Sequence, residues 1–345
     1  MSRPHEARKV RIHVQAVSTV LGEVSADELG FTQTHEHLIM DSVRAALNGA
    51  PYEELADRTR DHLVMDAFRG FQPLREFLLH DPELAISELA YYTAAGGKTL
   101  VDLTTEDIGR DPRSLVEISR RSGVNIVMST GRYREPFYED GMRRTPTSQL
   151  ASMFIEEIEQ GVNGVRAGII GEIGTHEPFV SPAEERVHRA AARAHNATGV
   201  AISTHSNGSP VGLAQLDLFE DEGVDLRRVV VGHCDTYPFL DYHRAILNRG
   251  AYVQYDTIRG SFEFETERQL EQLTTLIAEG HINRLLLAQD LCGHRFMRAY
   301  GGRGYDFIPT EFVDRLRGRG LSQEQVDILT VINPRRMLTG EPPTA

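Results

Sequence analysis

Eight short segments rich in aliphatic and β-branched residues, each bounded by Gly or polar residues, recur along this chain of 345 residues. They are GFTQTHEHL from Gly30, KTLVDLTT from Lys98, VNIVMSTG from Val124, VRAGIIGEIG from Val165, VAISTHS from Val200, VVVGHCD from Val229, AYVQYDT from Ala251 and LLLAQD from Leu285. Near-continuous apolar runs suit parallel strands buried on both faces, and eight is the number that a (β/α)8 barrel needs. Helical segments alternate with them. In the clearest, SPAEERVHRAAARAHNATG, Ser181 and Glu184 form a capping box, Pro182 takes the first helical position and Gly199 supplies the left-handed stop. Its Ala183, Val187, Ala191 and Ala194 share one face, small enough to sit close against a barrel. Further helices are expected near Val211, Phe239, Glu267 and Pro309, and a last one opens at Ser322 and Gln325 and ends near Asn333-Pro334 or just beyond. About sixty residues separate the first two strands, more than one crossover needs, so helical insertions such as PYEELADRTRDHLVMDAF are expected to cover one end of the barrel. The predicted fold is α/β: a single (β/α)8 TIM barrel domain over residues 1–345, with an N-terminal extension and a helical insertion between strands 1 and 2.

Fifty acidic against 37 basic residues leave a net charge of −13, which repels polyphosphate backbones and anionic lipid surfaces. Neither nucleic acid nor membrane is expected as a partner, and no window approaches the run of about 18 apolar residues that a membrane span needs. The two cysteines, Cys234 and Cys292, make no disulfide framework, and the start MSRPHEARKV has no apolar run. A cytoplasmic protein is expected, with both cysteines reduced structural thiols. The oddity in the composition is 14 His in so acidic a chain.

In a parallel barrel the carboxyl ends of all strands open on one face, so residues distant in sequence converge there. His35 and His37 end the first strand, Glu172 lies near the end of the fourth, and His205, His233 and Asp290 end the fifth, sixth and eighth. Alternation places His35 and His37 on one side with Glu36 facing away. A His-x-His pair alone is often a packing accident. Five strands that each present an imidazole or carboxylate at one mouth point instead to metal, and the set suits Zn, Mn, Fe or Co. Six ligands exceed what one catalytic zinc takes, so two divalent ions are the natural solution. His35, His37 and Asp290 would hold one ion, His205 and His233 the other, and Glu172 would bridge them. A hydroxide held between the ions is then the nucleophile, oriented by Asp290, which carries its proton toward the leaving group.

Taken together, LGEVSADELGFTQTHEHL, RAGIIGEIGT, STHSN, VVVGHCD, LLLAQD and the terminal NPRRML resemble, in order and spacing, the phosphotriesterase-like branch of the amidohydrolase superfamily. The resemblance implies that His35, His37, Glu172, His205, His233 and Asp290 occupy a binuclear metal site. It also implies hydrolysis of an ester, lactone, amide or phosphoester bond, and a homodimer. Many members bridge their metals with a carbamylated lysine where this chain has Gly171; here Glu172 takes the role, as in glutamate-bridged members. Strand parity alone would turn Glu172 outward, so a local irregularity must bring it in.

Tyr133, in the STGRY segment, and Arg259, in DTIRG, match positions near the substrate in lactonase-like members and are expected to bind substrate. Arg132, Arg134, Arg295, Arg298 and Arg303 fall in or near loops of the same face, where they would attract an anionic small molecule or pair with neighbours such as Glu135 and Asp306. A phosphorylated or otherwise anionic lactone fits such a mouth, and the absence of Trp disfavours bulky aryl phosphotriesters. His176 and His294 are read as loop histidines and His281 as remote from the mouth. The expected activity is that of a lactonase or carboxyl-ester hydrolase. The alternatives are a phosphotriesterase or amide hydrolase with the same site, and a metal-containing binding protein without turnover.

Overall fold

The computed structural model describes residues 16–42, 63–66, 70–73, 78–139 and 141–342. The eight predicted segments form one parallel eight-stranded sheet: β1 Phe31–Glu36, β2 Gly97–Asp102, β3 Asn125–Thr130, β4 Ile169–Gly174, β5 Ile202–His205, β6 Val229–Val231, β7 Tyr252–Tyr255 and β8 Leu285–Leu287. Each strand pairs with its neighbours in sequence, the order of a (β/α)8 barrel. The seam between β8 and β1 is closed by a side chain. Asp290 N–H donates to the His35 carbonyl at 3.0 Å, and the Glu36 carboxylate accepts Gln289 N–H at 2.8 Å and Leu291 N–H at 3.1 Å. Glu36 is fully buried there, and burial pushes its carboxyl up to about 8 against the pull of the two amides.

Two apolar layers follow from strand alternation. Val101, Leu103, Val127, Ile169, Ala201, Val230, Tyr252 and Leu286 fill the inside, and Val17, Met337 and Leu338 pack with them. Val17 belongs to an antiparallel hairpin, Ala16–Thr19 with Gly22–Ser25, which forms the described part of the N-terminal extension. Outward residues such as Ile126, Ile170, Ile202 and Val229 pack beneath helix residues such as Leu89, Ile118, Phe154 and Phe219. Burial of each large side chain contributes about 1.5–3 kcal/mol.

The helix Pro182–Thr198 has both predicted ends: the Ser181–Glu184 capping box and Gly199 at φ 76°. Glu184 does more than cap. Its Oε1 accepts Glu135 N–H at 3.2 Å and His176 N–H at 2.8 Å, so one buried carboxylate ties together the loops after β3 and β4. The helix expected near Glu267 starts earlier, at Glu263. The last helix opens at the Ser322–Gln325 capping box and runs through Asn333-Pro334 to Thr339. Ile328–Ile332 widens to π-helical spacing just before that proline, which starts a new helical segment where its missing N–H costs little.

The segment expected to be helical between strands 1 and 2 needs correction. Residues 51–62 and 67–68 of it lie outside the described residues, and Leu63–Asp66 is a strand paired antiparallel with Gly70–Pro73. A short apolar run does not distinguish helix from strand by periodicity, and the pairing partner that follows in sequence decides it. No helix among the described residues is long and apolar enough to cross a membrane.

Candidate metal centre

The six predicted ligands meet at the carboxyl end of the barrel, His205 from the end of a regular strand and the others beside local departures from strand geometry. In β1 the register against β2 shifts between Gln33 and Glu36, and both His35 and His37 face the mouth. In β4 the register against β5 shifts between Ile170 and Ile173, the Gly171–Glu172 peptide is cis, and the Glu172 carboxylate lies among the imidazoles. Gly171 sits at φ 135°, and a Cβ there would lie 2.2 Å from the Ser203 carbonyl oxygen. No lysine fits this position, so a bridging group has to come from the next residue. His233 and Asp290 are in left-handed backbone conformations, φ 56° and 47°, an uncommon state for non-glycine residues that clusters at functional sites.

Glu172 presents one oxygen to each half of the cluster. Its Oε2 is 3.6 Å from His35 Nε2 and 3.9 Å from His37 Nε2. Asp290 Oδ1 completes that half, 3.1 Å from His37 Nε2 and 3.8 Å from His35 Nε2. Glu172 Oε1 contacts His205 Nδ1 and lies 2.8 Å from His233 Nε2, and these two nitrogens are 2.7 Å apart. Ligand atoms about 2.0–2.2 Å from one tetrahedral ion stand about 3.3–3.6 Å apart, within the spread of the first half. His35 Nε2 is buried with no hydrogen-bond partner among the described residues, an orphan that a cation would satisfy. His35, His37 and Asp290, and separately His35, Glu172 and His233, have ligand atoms within 4.8 Å of one another. The cluster could therefore hold metal.

Against burial, carboxylates and imidazoles charge one another across the cluster: Glu172 and Asp256 hold His35 above its usual range and push His233 up to about 10, so a bound cation would have to displace protons there. Burial favours protonated Asp290, but the Arg259 guanidinium and nearby imidazoles overcome it and hold the carboxyl well below its usual range. Burial also drives the His205 imidazole down to about 4, so it is neutral, the form that ligates metal.

A second layer escaped the sequence reading. Asp256, just past β7, accepts from His35 Nδ1 and His233 Nδ1, both at 2.8 Å, and Thr104 Oγ1 is 2.8 Å from His37 Nδ1. The sign was available, since Asp256 sits near the end of AYVQYDT at the same mouth, but it was not among the residues singled out. Tyr133 stands with its ring 4.8 Å from that of His205, beneath the Arg134 guanidinium at 4.6 Å. Its backbone N–H is fixed 2.8 Å from buried Asp107. Arg259 lies on Asp290: its Nε donates to the Gln289 carbonyl at 2.8 Å and its NH2 to the Asp290 carbonyl at 2.7 Å and to the Asp290 carboxylate.

The other loop arginines diverge. Arg132 pairs with Glu106, Arg298 with Asp306 and Arg303 with Glu311, while Arg295 stacks on Phe296. Cys234 is buried with its thiol on the Val231 carbonyl, and Cys292 lies 3.8 Å from both Arg259 and Asp290. His176 is 3.8 Å from Glu177, and His294 packs on Tyr300.

Fold and site together define an amidohydrolase-like (β/α)8 barrel. The chain belongs to the phosphotriesterase family, whose model matches residues 15–338. It is 35% identical over 313 residues to the phosphotriesterase homology protein of Escherichia coli (strain K12), covering 90% of this chain and 98% of that one. The crystal structure of that Escherichia coli protein, complexed with phosphate in its active site, superposes with a TM-score of 0.79 at 34% identity, covering 90% of this chain and 99% of that one. N-acetyltaurine hydrolase of Salmo salar is 30% identical over 347 residues, covering 94% of this chain and 97% of that one. A resiniferatoxin-binding protein from Rhodobacter sphaeroides superposes with a TM-score of 0.82 at 31% identity, over 95% of this chain and 96% of that one.

Proposed function

We propose that this phosphotriesterase-family hydrolase cleaves the carbonyl bond of a small anionic carboxylic acid derivative, a lactone or ester first, at a centre of two divalent ions, zinc foremost. The observation that supports this best is the division of Glu172, one oxygen toward His35 and His37 and the other toward His205 and His233. When bound, such ions supply Lewis acidity that lowers the pKa of water and polarises a carbonyl oxygen.

The chain's own groups do the rest. At 12% side-chain exposure Asp290 is more open than Glu172 and Asp256, at 2% and 0%, and it takes the proton of the attacking water and returns it to the leaving group. Arg259 fixes that carboxylate and places positive charge at the mouth, where an anionic substrate group docks. Tyr133, held by Asp107 and flanked by Arg134, lines the opposite wall over His205.

Hydrolysis of an N-acyl amide is the second reading, favoured by the likeness to N-acetyltaurine hydrolase over nearly the whole chain. Zinc- or manganese-loaded protein assayed on neutral lactones, phosphorylated lactones, N-acyl amino acids, N-acetyltaurine and aryl phosphotriesters separates the readings. Turnover of anionic lactones over neutral ones is expected, and turnover of phosphotriesters alone would refute it. No turnover across the panel by protein holding two ions would favour a binding protein. We propose a homodimer, which light scattering would report at twice the 38.6 kDa chain mass.

A further inference from the structure

Buried Asp256 receives four donors. Its Oδ2 lies 2.8 Å from His35 Nδ1 and 3.2 Å from Gln254 Nε2, its Oδ1 lies 2.8 Å from His233 Nδ1, and the His233 backbone N–H is 3.0 Å from both oxygens. His35 stands in the half of the centre with His37 and Asp290, and His233 in the half with His205. We infer that Asp256 couples the two metal positions, one carboxylate setting the tautomer of one imidazole ligand from each half. The inference rests on the two-ion reading above.

The argument is one of donors and acceptors. A carboxylate only accepts, so each imidazole facing it must carry its hydrogen on Nδ1, which leaves the Nε2 lone pair pointing at the metal position. His205 is the converse: its Nδ1 lies on the side of Glu172, where the ion would be held, so with metal bound that nitrogen would ligate and the hydrogen would sit on Nε2. His37 is served separately, through Thr104. The backbone is built around the carboxylate: the left-handed turn at His233 aims its N–H at Asp256, and a Cβ at Gly232 would lie 3.3 Å from Asp256 Oδ2 and 2.3 Å from the Thr204 carbonyl. An asparagine in place of Asp256 offers one accepting oxygen and one donating NH2 group. It can satisfy one Nδ1–H and must oppose the other, and being neutral it also removes the negative charge that raises the basicity of both imidazoles, so D256N disturbs both halves while leaving the volume unchanged.

The test is a zinc titration of metal-free full-length protein against a chromophoric chelator, for wild type, D256N and T104V. Wild type is expected to bind two ions. In D256N both dissociation constants should rise about ten- to a hundredfold, and in T104V one constant should move. A change in only one constant, or in neither, in D256N would overturn the coupling while leaving the two-ion centre in place. Wild type that binds fewer than two ions would overturn the two-ion reading and the coupling with it. Long-range nitrogen–proton correlation spectra of zinc-loaded wild type with labelled histidine need no variant to fold. Hydrogens on Nδ1 of His35 and His233 and on Nε2 of His205 support the inference, and an Nε2 hydrogen on His35 or His233 overturns it.

Discussion

Substitution of Gly171 by alanine is the sharpest test of why this chain places a glutamate rather than a lysine between the two halves of its centre. The added Cβ would stand 2.2 Å from the Ser203 carbonyl oxygen, more than 1 Å inside ordinary contact, and the backbone at φ 135° is one that side chains rarely adopt. Holding a non-glycine residue there costs about 1–3 kcal/mol, and forcing β4 away from β5 adds about 1–3 kcal/mol of overpacking. The expected total is about 4 kcal/mol, or a fall of about 5–6 °C in Tm for a chain of 345 residues. Because Ser203 precedes the ligand His205 by two residues on the same strand, the displacement should also loosen the half of the centre that holds His205 and His233. Thermal unfolding followed by circular dichroism and zinc content by elemental analysis measure both effects. A G171A protein with Tm within about 2 °C of wild type and two zinc ions would refute the argument that backbone proximity excludes a side chain here.

Other consequences are equally accessible. Exhaustive chelation should abolish hydrolysis and lower Tm, and zinc at about a thousandfold its dissociation constant should restore about 4 kcal/mol per site; chelation that leaves activity intact would refute the metal centre. Arg259→Met should raise KM for an anionic lactone by about tenfold or more and leave KM for its neutral analogue nearly unchanged, because the guanidinium charge at the mouth favours only the charged group, while loss of its hold on Asp290 lowers kcat for both. Equal effects on KM for the two substrates would assign Arg259 to Asp290 alone. Burial pushes the His188, His195 and His243 imidazoles below 6.5, so the unfolded chain takes up protons that the folded chain refuses. Their stability contribution is complete above about pH 6.5 and falls as pH drops toward the lower folded values, by up to about 1.4 kcal/mol per pH unit for each. Urea denaturation of metal-free protein should therefore show a shallower decline between pH 6.5 and 5 in H188N than in wild type, and identical slopes would count against this account.

Much of the architecture is local in origin and so was open to reading from the chain itself. A strand buried on both faces must be apolar nearly throughout, so β1 to β8 announce themselves one by one, and a capping box or a left-handed glycine marks a helix end within four residues. Imidazoles and carboxylates at strand ends are equally visible, because a parallel barrel sends all those ends to one face. What tertiary structure alone decided are relations between strands. The register slip of β4 against β5 turns Glu172 inward against its parity, and no periodicity within β4 contains that information. Glu36, which alternation merely turns away from the mouth, becomes the closure of the barrel because Gln289 and Leu291 arrive from the far end of the chain. Asp256 reads as one more polar residue after a strand until His35 and His233 are found on its two oxygens. The arginines divide the same way: Arg298 turns to Asp306 and Arg259 to Asp290, a choice set by which carboxylate folding brings within reach. The chain thus specifies by itself which groups come to the mouth, since that follows from strand ends, while their partners depend on contacts between segments up to about two hundred and fifty residues apart.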